Sequence, residues 1–276
     1  MKIAVYAICK NEKKHIERFY YSCADADYVV ICDTGSDDGS WAELKRNAHQ
    51  NDRLIVLQAN VIPFRFDDAR NAALAAVPAD VDFCVAMDMD EVLEPGWREH
   101  VETGFAKGAN SIVFTFDPVA SRPFEQNNRI HARSGFRWAY PAHEALVTSL
   151  HGEVVHYKAP GLVMKHYPDN DKPRCYLNLL AWGEWENPID PRMKFYYARE
   201  LMFFKYYKEA IAKFDEYREL TIKLNYAHLI EIADAKHWRS ECVKALATAS
   251  AGSLDAGDQV GLLEVPSPGL VDTDGL

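Results

Sequence analysis

In the first hundred residues, compact apolar runs take turns with longer stretches of helical spacing. Residues 2–9, 28–33, 53–58 and 82–87 are apolar and β-prone. Between them, 11–24 repeats Ile16, Phe19 and Tyr20 at helical intervals, and 40–49 and 67–77 read as two further helices. Phe83-Cys84-Val85-Ala86-Met87 has no alternation that would turn one face to water, which predicts a strand buried on both sides. Strands separated by helices predict right-handed βαβ units and a mostly parallel sheet, hence an α/β fold. From about residue 110 the texture changes, and 111–116, 128–132, 145–150 and 161–165 read as shorter strands of a mixed or antiparallel extension. Beyond 172 the pattern is helical, over 173–186, 191–207, 208–224 and 227–247, with Ala198, Ala210 and Phe214 at packing positions reminiscent of helical repeats. The expected organisation is an α/β domain at 1–171, helical hairpins at 172–248 and a disordered Gly-, Ser-, Pro- and Asp-rich tail at 249–276.

Composition narrows what such a fold serves. At 276 residues, 48% hydrophobic and 12% aromatic, the chain can fill a core, which excludes wholesale disorder. A net charge of -10 weighs against a broad nucleic-acid footprint but leaves room for a local basic groove. The six cysteines form no C-x-x-C pair, and Cys9, Cys32 and Cys84 lie in apolar runs where a thiol packs as a small hydrophobe, as in a reducing compartment. The chain enters a strand at once with no signal peptide ahead, and no apolar run nears the ~20 residues that span a bilayer, so a soluble cytoplasmic protein is expected. Trp182, Trp185, Phe195, Tyr196, Phe203, Phe204, Tyr206 and Tyr207 are expected to pack the helices onto the α/β body, an acceptor groove being the second reading.

Chemistry gathers where strands end. The first run closes in Lys10-Asn11-Glu12, the second in Asp33-Thr34-Gly35-Ser36-Asp37 and the fourth in Asp88-Met89-Asp90-Glu91. In a parallel sheet these endings share one edge, the usual ligand crevice. Asp88 and Asp90, two apart on an extended segment, would leave the same side and suit Mg²⁺ or Mn²⁺ with substrate phosphates. The plainer reading is a strand end followed by acidic residues at a helix start. Asp33 accepts from a base or ribose, or merely caps its turn. Asp37 and Asp38 read as caps of the second helix, and Asp67 or Asp68 as the cap of the third. Arg70 sits in that helix's first turn, the wrong end of the dipole for a cation, so it implies a diphosphate or carboxylate partner unless it is a surface arginine.

Four blocks in order, Cys9-Lys10-Asn11-Glu12, Ile31-Cys32-Asp33-Thr34-Gly35-Ser36-Asp37-Asp38-Gly39-Ser40, Phe64-Arg65-Phe66-Asp67-Asp68-Ala69-Arg70-Asn71 and Met87-Asp88-Met89-Asp90-Glu91-Val92-Leu93, resemble family 2 glycosyltransferases of the GT-A fold. Within that family the chain looks most like the subgroup with a helical, tetratricopeptide-like C-terminal extension, which includes peptide glycosyltransferases. The likeness is strong over roughly 1–95 and looser over 110–225. It implies a GT-A domain with a mostly parallel mixed sheet, then an α-helical C-terminal region. It also implies a UDP-sugar donor and Mn²⁺ or Mg²⁺ as cofactor. Cys9, Asn11, Glu12, Asp33 and Met89 would line the nucleotide, Arg70 would contact the diphosphate, and Asp88 and Asp90 would form the D-x-D pair, usually in an inverting enzyme. Where many members carry a second Asp, this chain has Thr34.

The second half must supply the base. Trp138-Ala139-Tyr140-Pro141-Ala142-His143-Glu144 resembles the subgroup's aromatic-then-His-Glu block, making Glu144 the first candidate, with Asp117, Asp169 and Asp171 as rivals. His166 closes Val163-Met164-Lys165-His166 and, by the same resemblance, is a candidate third metal ligand, whereas His131, His151 and His156 read as structural or exposed. Lys10 is a further candidate to stabilise the leaving group. Arg129, Arg133, Arg137 and Lys165 form either a basic strip on the acceptor side or a solvated strand face. The acceptor is left open among a protein or peptide, a glycan and a hydroxymethylated pyrimidine in DNA. Two other classes compete: a nucleotidyltransferase, although residues 7–13 lack the expected glycine-rich loop, and a non-catalytic binding scaffold.

Overall fold

The computed structural model describes residues 1–148, 153–168, 176–226 and 231–252. Contacts divide the chain into two units, Met1–Tyr140 with Glu144–Lys172, and Pro141–His143 with Pro173–Leu276.

The first unit opens as β1 (Ile3–Cys9), α1 (Ile16–Ser22), β2 (Tyr28–Asp33), α2 (Ser40–Ala48), β3 (Leu54–Gln58), α3 (Phe66–Ala75) and β4 (Phe83–Met87). It continues with β5 (Glu91–Leu93), α4 (Trp97–Ala106), β6 (Ser111–Asp117), β7 (Phe124–Ala132), β8 (Phe136–Ala139), β9 (Ala145–Thr148) and β10 (His156–His166). The main sheet runs β3-β2-β1-β4-β7-β6-β10-β5, and β8 and β9 make a separate antiparallel pair. β1 and β4 lie inside, parallel to each other, and every β4 residue is buried. Alternate side chains fill two cores. Ile3, Val5, Val29, Ile31, Phe83 and Val85 join Phe19 and Trp97 on one side. Ala4, Tyr6, Val30, Cys32, Cys84 and Ala86 join Ala73 and Trp138 on the other. Each large apolar side chain so buried contributes about 1.5–3 kcal/mol, which anchors the edge where the polar endings gather.

Several expectations need correction. The first helix starts at Ile16, because Asn11 adopts a left-handed φ of 57° and Lys13–His15 forms a 3₁₀ turn. The third helix starts at Phe66 with Arg65 as N-cap residue, so neither Asp67 nor Asp68 caps it; Asp67 instead binds the Arg65 guanidinium at 3.0 and 2.9 Å. β5, α4 and β8 have no counterpart in the sequence reading. β10 is longer than 161–165 because a register shift between Ala159 and Val163 lets it pass through Pro160-Gly161.

The second unit contains α5 (Leu177–Glu186), α6 (Pro191–Phe203), α7 (Tyr207–Lys223) and α8 (Glu231–Gly252), a helical C-terminal extension. Asp190 caps α6, accepting from Arg192 N at 2.8 Å, with Pro191 in the first turn where its missing N–H costs nothing. Phe195 meets Phe214 and Tyr217, and Ala198 and Ala210 are fully buried. Trp185, Phe203 and Phe204 are exposed, Phe203 with its ring centroid 6.4 Å from that of Trp238. The expected tail lies outside the described residues from 253 onward, and 249–252 belong to α8. No helix among the described residues is long and apolar enough to cross a membrane.

Candidate active site at the carboxyl edge of the sheet

β1 runs parallel to β2 and β4; β7 is antiparallel to both β4 and β6; β6 is parallel to β10. The carboxyl ends of β1, β2, β4, β6 and β10 therefore share one direction. Cys9, Asp33, Met87, Asp117 and His166 close these strands.

At the β1–β2 end, Asp33 is fully buried. Its Oδ1 accepts from Gly35 N at 3.0 Å, Ser36 N at 3.1 Å and Gln58 Nε2 at 3.1 Å, so it does cap the turn. Its Oδ2 is buried with no hydrogen-bond partner among the described residues. Asn11 Oδ1 accepts from Asp37 N at 2.8 Å and Ser36 Oγ accepts from Asn11 N at 2.8 Å, tying the two loops together. Asp38 accepts from Ser40 N at the start of α2. Glu12 is buried, its amide donating to Ser40 Oγ and its carboxylate 3.9 Å from His15 Nε2. Burial, with Asp33 adding to it, pushes the Cys9 thiol up to about 12, so it is a neutral packing group.

Arg70 is the centre of the site. It is buried, with Nε donating to Glu144 Oε1 at 2.5 Å and Nη2 to Asp88 Oδ1 at 2.6 Å. Nη1 is buried with no hydrogen-bond partner among the described residues. Arg129 reaches the far side of Asp88, Nη2 to Oδ2 at 3.2 Å, and its Nη1 lies 3.5 Å from Glu91 Oε2. Glu91 Oε2 also accepts from Asp88 N at 2.7 Å. Two guanidinium groups thus thread three carboxylates. Burial opposes the charged form of Asp88, yet Arg70 and Arg129 outweigh it and hold the carboxyl well below the usual range. For Glu91 burial wins over Arg129, and the carboxyl is pushed up to about 7.

The D-x-D pair is not on an extended segment. Met89 and Asp90 form a turn, closed by Glu91 N donating to Asp88 O at 3.0 Å, so the two aspartates diverge. Asp88 faces the arginines. Asp90 faces His166, Oδ2 to Nε2 at 3.3 Å, and that contact raises the imidazole's proton affinity. One carboxylate and one imidazole, both part-exposed, suit a divalent ion completed by water and phosphate oxygens. Among the described residues no three His, Cys, Asp or Glu side chains gather into a cage, and both Asp88 oxygens are engaged by guanidinium groups.

The remaining candidates separate clearly. The second oxygen of Glu144 makes no hydrogen bond among the described residues. Asp117 accepts from Val119 N at 2.9 Å, capping its own turn, and Asp169, Asp171 and His151 lie outside the described residues. Of the four cations at the expected strip, Arg137 is exposed and the other three have partners. Arg129 is committed to Asp88 and Glu91, Arg133 donates to the carbonyls of Val77 and Pro78 at 2.9 Å, and Lys165 pairs with Glu94 at 2.9 Å. His131 is structural, buried on Tyr6, and His156 is exposed beside Ser111. His143 belongs to the second unit, stacked on Tyr196 at 4.2 Å and 3.1 Å from Arg199 Nη2. The sequence does not reveal the role of Glu91, which follows the two aspartates expected to hold a metal, nor the depth of Arg129. Arg129 lies in β7, where the neighbouring Ile130 and His131 are both buried, so no alternation marked its depth.

The glycosyl transferase family 2 model matches residues 4–168. No curated protein sequence matches the chain. Among solved structures, the crystal structure of S. aureus TarS 1-349 aligns with a TM-score of 0.52 at 13% identity, covering 95% of this chain and 93% of that one. That likeness is one of fold: a large mixed sheet followed by helices. The crystal structure of S. aureus TarS aligns at 14% identity and a TM-score of 0.49 over 68% of this chain, which spans 40% of that longer one. By its sequence blocks, its GT-A sheet and the matched family model, the chain belongs to glycosyl transferase family 2.

Proposed function

We propose that the chain transfers a sugar from a nucleoside diphosphate donor, a UDP-sugar, to a hydroxyl acceptor with inversion at the anomeric carbon, with Mn²⁺ or Mg²⁺ as cofactor. The observation that carries this reading is a pair of complementary orphans among the described residues: Asp33 Oδ2 at the end of β2, a buried acceptor without a donor, and Arg70 Nη1 on the guanidinium that binds Asp88 just beyond β4, a buried donor without an acceptor. Leaving either unmatched costs free energy that a ligand recovers. A base imide N–H answers the first and a phosphate oxygen answers the second. Cys9, Asn11, Glu12 and Met89 shape the nucleotide side.

Asp90 and His166 would hold the divalent ion, which when bound acts as a Lewis acid toward the departing diphosphate. Asp88 serves the reaction differently, orienting Arg70 and Arg129 instead of ligating. Arg70, held by two carboxylates, meets the growing negative charge without reorganising. Glu144 accepts the acceptor's proton at Oε2, its Oε1 being committed to Arg70, a step worth about 10²–10⁴ in rate. The acceptor is a hydroxyl of a protein, peptide or glycan; the committed arginines and the charge of -10 favour these over a DNA base. The five free, buried cysteines among the described residues fit a reducing, cytoplasmic setting.

Thermal-shift titration with Mn²⁺ and a panel of nucleotide sugars tests the reading, followed by a donor-hydrolysis screen. Stabilisation by UDP-sugars is expected. A response to nucleoside triphosphates alone would point to nucleotidyl transfer, and no response to any nucleotide would leave a binding scaffold.

A further inference from the structure

Trp138 sits on β8, distant in sequence from Arg70, yet the Arg70 guanidinium carbon lies 5.0 Å from its ring centroid. The indole is buried and fixed on two sides. Asn71 clamps the backbone, its Nδ2 donating to Trp138 O at 3.0 Å and its Oδ1 accepting from Trp138 N at 2.9 Å. Asn71 follows Arg70 in α3, so one helix carries both the guanidinium and the clamp on its aromatic neighbour.

The ring edge is held by a chain of buried bonds with a fixed direction. An indole N–H only donates, so Trp138 Nε1 gives its proton to Tyr6 Oη at 2.7 Å. The Tyr6 hydroxyl then donates to His131 Nε2 at 2.9 Å, which places the remaining imidazole proton on Nδ1, donated to Ala132 O at 2.8 Å. Burial disfavours ionisation of both links: the phenol is raised and the imidazole is pushed down to about 4. The chain is neutral and all its donors are used. A neutral, immobile aromatic face beside a guanidinium attracts it electrostatically, most strongly when both are out of water.

We infer that Trp138 is a positioning residue for the transfer reaction, setting the plane of Arg70 and through it the separation of Asp88 and Glu144. The inference rests on the proposed role of Arg70 at the diphosphate. Misplacement of a reacting group by about 1 Å costs up to 10²-fold in rate, so the tilt of one guanidinium is enough to matter.

The test uses the full chain carrying Trp138→Phe, Trp138→Leu or Tyr6→Phe, with thermal unfolding to measure the folded fraction and kcat and donor KM measured separately. Trp138→Leu, which removes the aromatic face, should lower kcat per folded molecule about 10–100-fold and leave donor KM within about threefold. Trp138→Phe keeps a face and should recover most of that loss. Tyr6→Phe unpins the indole and should lower kcat about three- to tenfold. A folded Trp138→Leu with wild-type kcat overturns the inference. If that variant does not fold, wild-type kcat in Tyr6→Phe does the same. Failure of the functional reading is separable, because a double-mutant cycle between Trp138→Leu and Arg70→Met reads the contact by urea unfolding alone. Coupling of about tenfold in the unfolding constant is expected, and additivity counts against the contact whatever the enzyme transfers.

Discussion

Arg70 answers to two carboxylates, so any substitution there disturbs three groups at once. Arg70→Lys keeps the charge but lacks the planar fork that reaches both partners. Loss of about 2–4 kcal/mol of stability is expected in urea unfolding, with donor turnover falling at least about 10²-fold. Asp90 makes its side-chain contact with His166 at the part-exposed rim. Asp90→Asn should therefore shift Tm by less than about 4 °C while abolishing Mn²⁺-dependent stabilisation by a UDP-sugar; retained stabilisation would remove Asp90 from the metal role. His131 gives a pH signature. Its folded pKa is pushed below the unfolded value by burial, so its contribution is full above about 6.5 and is lost as pH falls toward about 4. Tm measured across that window should fall less steeply in His131→Asn.

At the scale of elements, what could be read from the letters was what a local pattern dictates. Residues 83–87 announce a strand buried on both faces because no alternation is present, and β4 is one. β5 was hidden by its length of three residues, too short to show a period, and its partner on β10 lies more than seventy residues on. α4 buries Trp97, Val101 and Gly104, and the glycine interrupts the apolar period that would have marked it. A Cβ at Gly104 would collide with Ile112 and come within 2.9 Å of Tyr157, so helix and sheet approach closely there. Gly104→Val should cost about 1–3 kcal/mol by urea unfolding and leave the donor KM of the folded protein unchanged. The site was legible as a list of acids at strand ends; which acid meets which arginine was not. The turn at Met89-Asp90 sends two neighbouring aspartates to different partners, and a two-residue spacing carries no record of that turn.

For the whole molecule, charge distribution speaks to the acceptor. With Arg129, Arg133 and Lys165 engaged by carboxylates or carbonyls and Arg137 exposed, the expected contribution of this region to binding a nucleic-acid backbone is small. Fluorescence anisotropy with a duplex containing hydroxymethylcytosine should show weak binding and a shallow salt dependence. Tight binding with a slope of several counterions would instead favour DNA among the acceptor classes.

β10 meets β5 in antiparallel register with His166 opposite Glu91, and Tyr167 N donates to Asp90 O at 3.0 Å. The spacing of Asp90 and His166 is thus written in main-chain ladder bonds and not in the reach of two side chains. Whatever enters between them meets a jaw with no hinge of its own. For the proposed ion, binding and release would then turn on rotamer changes, and the amide of Tyr167 should be among the slowest at this edge to trade its hydrogen with solvent.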